Sequence, residues 1–208
     1  SVVSKSEATS LTYAELQSVV LGVGHGLLER GLTPGDIVLM RLGNTVDFPI
    51  TYLAAIAVGL VPVPTSSLLT DREVNAMLAQ LNPALVVHAP GVALGEPECP
   101  VLTQAELHTL KHGLTAQYHM GEPNRLAYIV YTSGTSGKPR AVMHAHRALW
   151  ARRMMTRGWY DLTSDDRLLH AGAFNWTFTM GTGLMDPWRE GATSLILEPD
   201  TPISNIPE

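Results

Sequence analysis

Leu16, Val19, Val20, Val23, Leu27 and Leu28 recur at helical spacing behind Thr12 and Glu15, which stand in the positions of a capping box. The spacing predicts a helix from Tyr13 to about Arg30, stopped by Gly31. Pro34-Gly35-Asp36 then turn the chain into Ile37 to Met40, an unbroken apolar run of the kind that forms a buried strand. The pattern repeats. Asn44 or Thr45 can cap a helix through Val58, Val61 to Val63 is a short strand, and Thr70 with Glu73 caps a helix to Leu81. Ala84 to His88 is the next strand. After a loop rich in Gly and Pro, Thr103 and Glu106 form a third capping box for a short helix, and an irregular surface connection runs from Lys111 to Asn124. Leu126 to Tyr131 and Ala141 to His144 read as strands, followed by a helix from about Arg147 to Trp159. Arg167 to His170 and Thr193 to Leu197 read as strands around a helix from about Trp176 to Arg189. Helices alternate with strands almost throughout, which predicts an α/β fold: a layered, mostly parallel sheet with flanking helices and a ligand site beyond strand carboxyl ends.

Composition narrows the classes. The chain has 208 residues, 45% of them hydrophobic, enough for a buried core, and a net charge of -5 with no basic run. It lacks the electrostatic footprint of a nucleic-acid binder, so nucleic acid is not expected as a partner. The most apolar stretch, Ile50 to Val63, is interrupted by Thr51, Tyr52, Gly59 and Pro62 and falls short of the roughly 20 residues a membrane span requires. The N-terminus carries no pattern of a secretory signal. The single cysteine, Cys99, has no partner for an internal disulfide and no adjacent base, so it receives no role, and a reducing, cytoplasmic setting is expected.

The chemistry concentrates in Tyr131-Thr132-Ser133-Gly134-Thr135-Ser136-Gly137-Lys138-Pro139-Arg140. Its glycines let backbone N–H groups approach an anion, its hydroxyls donate to phosphate oxygens, and Lys138 and Arg140 bring positive charge. The bland alternative is a Ser/Thr/Gly turn between two strands. Gly134 and Gly137 are too close for a Walker loop, and Pro139 follows the lysine. The stretch resembles the signature loop of the AMP-forming adenylating enzymes, which include acyl-CoA synthetases, carrier-loading adenylation domains and firefly luciferase. The resemblance implies that Thr132, Ser133, Gly134, Thr135, Ser136, Gly137, Lys138 and Arg140 bind the phosphates of ATP. The family usually has lysine after the proline and a variable residue before it. Here those positions hold Arg140 and Lys138, and either cation can serve.

Further segments extend the likeness. Val142-Met143-His144-Ala145-His146-Arg147 is similar to the family's strand and His-Arg helix start, which places His146 near the loop as a capping or packing residue. His144 and His146 stand two apart without a third ligand in view, so no metal site is assigned. Asn175-Trp176, with Pro187-Trp188 and Gly191-Ala192-Thr193, resembles the acetyl- and medium-chain acyl-CoA synthetase version of the next motif. There Trp176 either shapes an apolar acyl pocket, with Phe174 and Met180 on the same wall, or anchors its helix in the core. Leu11 to Leu16 and Ala54 to Pro64 also look like family sequence, in mainly structural roles.

The likeness spans nearly the whole chain but only the early part of a family member. The later acidic residue for magnesium, the aspartate for the ribose, the hinge and the catalytic lysine of the mobile C-terminal domain have no counterpart before Glu208. Residues 1–208 are therefore expected to be a partial N-terminal AMP-binding domain, with Asp200 to Glu208 as a tail and no complete catalytic set. The implied reaction joins a small carboxylic acid to AMP from ATP, with Mg2+ held mostly by residues outside this stretch, and passes the acyl group to CoA. A carrier-loading adenylation domain and a non-catalytic nucleotide-binding fragment are the alternatives. No Ser stands in a G-x-S-x-G elbow, so covalent serine catalysis is not expected.

Overall fold

The computed structural model describes residues 2–3, 8–132 and 139–197. The elements run β1 (Val2–Val3), β2 (Ala8–Thr9), α1 (Tyr13–Glu29), β3 (Ile37–Arg41), α2 (Asp47–Ala57), β4 (Val61–Pro64), α3 (Asp71–Leu81), β5 (Leu85–His88), β6 (Val101–Thr103) and α4 (Gln104–Leu110). There follow β7 (Leu126–Thr132), β8 (Arg140–Ala145), α5 (His146–Ala151), α6 (Arg153–Met155), a π-helical turn at Thr156–Tyr160, β9 (Arg167–Leu169), α7 (Thr177–Met180), a second π turn at Gly181–Met185, α8 (Asp186–Glu190) and β10 (Thr193–Leu197).

The capping boxes set three helix starts. In each, the Thr hydroxyl accepts from the N3 backbone N–H while the N3 glutamate accepts from the Thr backbone, at Thr12 with Glu15, Thr70 with Glu73 and Thr103 with Glu106. Helix α1 ends as Gly31, at φ 87°, donates to the Leu28 carbonyl. Helix α2 departs from expectation: it starts at Asp47 behind Val46, which makes no side-chain cap. Asn44 is engaged elsewhere. Its Nδ2 donates to the Gly172 carbonyl at 2.9 Å and its Oδ1 accepts from the Phe174 N–H at 3.0 Å. Strand β6 falls where the sequence pattern predicts only loop, and the two long C-terminal helices are each broken into α and π turns.

Strands β4-β3-β5-β6 form an all-parallel sheet. It is apolar on both faces: Val38, Met40, Leu85 and Val87 join the cluster with α1 and α2, while Leu39, Val61, Val63 and Val86 join Ile129 of β7. Strands β2-β1-β10-β9 form a second sheet, parallel except at β1–β2. Strands β7 and β8 pair antiparallel as a separate hairpin, a departure from one mostly parallel sheet. The residues between them, 133–139, are too few for a parallel crossover, which needs a dozen or so. Arg41, wholly buried at the carboxyl end of β3, donates to the Thr65 hydroxyl and to the carbonyls of Ser66 and Ala93, tying two loops together. Burial pushes it down to about 10, so it stays a cation at neutral pH. Among the described residues, no helix is long and apolar enough to cross a membrane.

Candidate nucleotide and acid site

Antiparallel pairing puts Thr132 opposite Arg140, Val130 opposite Val142 and Tyr128 opposite His144. Alternation along the strands sends these pairs to one face of the hairpin. Thr132 and Arg140 stand exposed at the open end, and Arg140 enters no ion pair among the described residues. Ser133, Gly134, Thr135, Ser136, Gly137 and Lys138 lie outside the described residues. Tyr131 points to the other face, where its hydroxyl donates to Gln80 Oε1 at 2.9 Å and ties the hairpin to α3. Burial raises its phenol above the ordinary value.

At the lower end of the same face, the His144 ring stacks on Tyr128 with centroids 4.5 Å apart and planes 5° from parallel. Burial lowers His144, which keeps the imidazole neutral at physiological pH. Tyr52 of α2 meets Tyr128 edge-on at 5.6 Å. These rings, with Ala148, Arg152, Thr177 and Met180 among other residues, enclose a cavity of about 170 Å³. The Tyr52 hydroxyl is buried and has no hydrogen-bond partner among the described residues. Desolvation, reinforced by Tyr128, raises Tyr52 well above a free phenol, so it keeps its proton. Beside the cavity, Arg152 holds the fully buried Asp186 through two bonds, Nε to Oδ1 at 3.0 Å and Nη2 to Oδ2 at 2.6 Å. The guanidinium lies where a Cβ on Gly181 would be 2.1 Å from Nη2, so that position excludes a side chain.

The other expected site residues scatter. Trp176 is the N-cap residue of α7 and 62% exposed, so it is no core anchor, and its indole lies outside this cavity. Phe174 is buried against Phe48, with ring centroids 5.6 Å apart, and of Phe174, Trp176 and Met180 it is Met180 that lines the cavity. A shared wall of Trp176, Phe174 and Met180 is therefore not formed: the turn into α7 sends Phe174 inward and leaves Trp176 in solvent. His146 opens α5 without making a side-chain cap bond, and its Nε2 is buried with no hydrogen-bond partner among the described residues. Burial, then Arg125 and His119, keep it below the ordinary histidine value. Among the described residues, no three His, Cys, Asp or Glu side chains group to hold a metal. The sequence pattern points to none of Tyr52, Tyr128, Arg152, Asp186 and Asn44 for this region. It marks Tyr52 only as an interruption of an apolar run and Asn44 only as a helix cap.

A family model described as AMP-binding enzyme matches residues 1–208. The chain belongs to the AMP-binding enzyme family. Among its curated relatives is a 3-hydroxybenzoate–CoA/4-hydroxybenzoate–CoA ligase of Thauera aromatica, 28% identical over 206 residues, covering 90% of this chain and 39% of the ligase. An enterobactin synthase component of Escherichia coli K12 is 28% identical over 156 residues, covering 74% of this chain and 12% of that protein. The solved structure of a benzoate CoA ligase from Burkholderia xenovorans LB400 superposes with a TM-score of 0.84 at 21% identity, over 96% of this chain and 42% of that one. This AMP-binding enzyme chain thus has the adenylate-forming α/β fold and spans about two fifths of the ligase it matches.

Proposed function

We propose that the chain is the N-terminal part of an ATP-dependent ligase that activates a carboxylic acid as acyl-AMP and transfers the acyl group to CoA. The observation that carries this reading is the turn end of the hairpin, where Thr132 pairs with Arg140, a cation in no ion pair among the described residues, on either side of the family's signature sequence. Such a donor set suits a polyanion. In the first step a carboxylate oxygen attacks the α-phosphorus of ATP, the bond to the bridging oxygen breaks, and pyrophosphate leaves. Arg140 or Lys138 offsets charge on the departing pyrophosphate, while Thr132, Ser133, Thr135 and Ser136 orient the phosphates; none is a nucleophile. In the second step the CoA sulfur attacks the acyl carbon and AMP departs with the electron pair of the broken C–O bond. Mg2+ would arrive on the triphosphate and neutralise its charge. The kinship with the enterobactin synthase component supports a second reading, in which a carrier-protein thiol replaces CoA.

The test uses the full-length protein with a panel of carboxylic acids, scoring AMP release and then thioester formation with CoA against a carrier protein. Acid-dependent AMP release with CoA thioester is the expected result. Thioester on the carrier alone would transfer the assignment to the second reading, and no acid-dependent release would refute both. A cytoplasmic setting belongs to the same proposal, since ATP and CoA are its substrates.

A further inference from the structure

We propose that the groove bounded by α1, α2, α5 and α8 docks an acidic amphipathic helix of a partner protein. The inference does not rest on the proposed reaction. The groove measures about 830 Å³, room for roughly two turns of a helix about 10 Å across. Its floor is apolar. Leu16 and Val20 stand four apart on α1, and Leu53, Ile56 and Ala57 stand at helical spacing on α2. The two helices pack side by side, and Leu16, Leu53, Ile56 and Ala57 are only partly buried there. Ridges of side chains three and four apart thus border a trough that a third helix can fill.

The walls have the composition of a protein interface. Four arginines and four Tyr or Trp side chains line the groove, with no lysine and no glutamate among the described residues. Interfaces enrich aromatic residues and arginine and lose lysine and glutamate. Trp150 is the prominent anchor: it is 59% exposed, and the guanidinium carbons of Arg153 and Arg189 stand 4.3 and 5.1 Å from its ring centroid. Cation–π attraction offsets part of the repulsion between two like charges on one indole. A carboxylate between them would offset more. The single acid of the walls, Asp186, is neutralised by Arg152, while Arg125 and Arg147 enter no ion pair among the described residues. A cationic rim therefore surrounds an apolar floor on a chain whose net charge is -5. Its complement is a helix with one apolar face flanked by carboxylates.

The test titrates the full-length protein with two synthetic helical peptides that share a leucine-rich face and differ only in carrying glutamate or lysine beside it, read by fluorescence anisotropy of a dye on the peptide. The glutamate peptide is expected to bind, at least about tenfold more tightly than the lysine peptide, with an affinity that falls as salt rises. Trp150→Ala should weaken it by about thirtyfold, as for a central anchor, with circular dichroism that of the parent. Arg147→Glu should weaken the glutamate peptide and strengthen the lysine peptide, a gain that loss of folding could not produce. No binding of the glutamate peptide would overturn the proposal and leave the groove to another part of the same polypeptide. Equal binding of both peptides, or binding indifferent to both substitutions, would overturn it too. So would a concentration-dependent dimer that Arg147→Glu dissolves and the glutamate peptide does not displace, or capture by phosphatidylserine vesicles that the glutamate peptide does not compete away.

Discussion

Replacing Arg152 by Met should destabilise the protein by about 3 kcal/mol. The Asp186 side chain is 0% exposed and its two bonds to Arg152, at 3.0 and 2.6 Å, are its only hydrogen bonds among the described residues. Methionine fills much of the volume but donates nothing, so a carboxylate is left buried and unpaired. Removing one partner of a buried pair costs about 3–5 kcal/mol. The Arg152 side chain keeps 23% exposure, which lets water reach the vacated position and favours the lower end of that range. For a chain of this size about 3 kcal/mol corresponds to a fall in Tm of roughly 6–12 °C. Urea titration read at constant m is the assay, with the double variant Arg152→Met/Asp186→Leu as its control. Removing both charges removes the desolvation penalty with the attraction, so the double variant should recover most of the loss. A single-variant loss below about 1 kcal/mol, or a double variant no more stable than the single one, would refute the reasoning.

Arg140→Ala in the full-length protein should slow adenylation by about two orders of magnitude, the worth of one preorganised charged donor, with Tm unchanged, since the residue is exposed and in no ion pair among the described residues; an equal rate would shift the phosphate cation to Lys138. Asp47 gives a pH dependence. Burial raises its carboxyl, but bonds from Gln104, Lys111 and His108 outweigh that and hold it below 3.8. Its stabilisation is therefore fully present above the unfolded value of about 3.9 and fades as pH falls through the lower folded value, a slope that Asp47→Ala should flatten in acid titrations followed by circular dichroism. Residues 1–208 alone should show no ATP–pyrophosphate exchange with any carboxylate, because the implied lysine and magnesium ligand lie outside them; robust exchange would overturn that division of labour.

Local chemistry made the first half of the fold legible. Thr12, Thr70 and Thr103 fix their helices with hydrogen bonds to residues three positions on, so the information sits inside a four-residue window. Asn44 shows where that logic stops. Its side chain suits a cap equally well, yet the loop at Gly172 and Phe174, more than a hundred residues away, offers an orphan N–H and carbonyl that bind it instead. The broken C-terminal helices are a second case. Periodicity reads Trp176 to Arg189 as one helix, but a π turn interrupts it at Gly181–Met185, where the Arg152 guanidinium lies beside Gly181, and another follows α6 at Thr156–Tyr160, where the Thr156 hydroxyl donates to Glu190.

The site divides along the same line. Its proposed phosphate end is a reading of the sequence, where hydroxyls, glycines and cations crowd into ten consecutive residues, of which 133–138 lie outside the described residues. Its other end is assembled from Tyr52, Tyr128, His144 and Arg152, four elements that no local pattern joins. What joins them is register. From Tyr128 to Thr132 the pairing runs without a shift, the irregularity lying before it between Leu126 and Tyr128, so alternation carries Tyr128, Val130 and Thr132 to one face and Ile129 and Tyr131 to the other. The cavity and the Thr132–Arg140 pair therefore share a face because two-residue steps connect Tyr128 to Thr132 and His144 to Arg140.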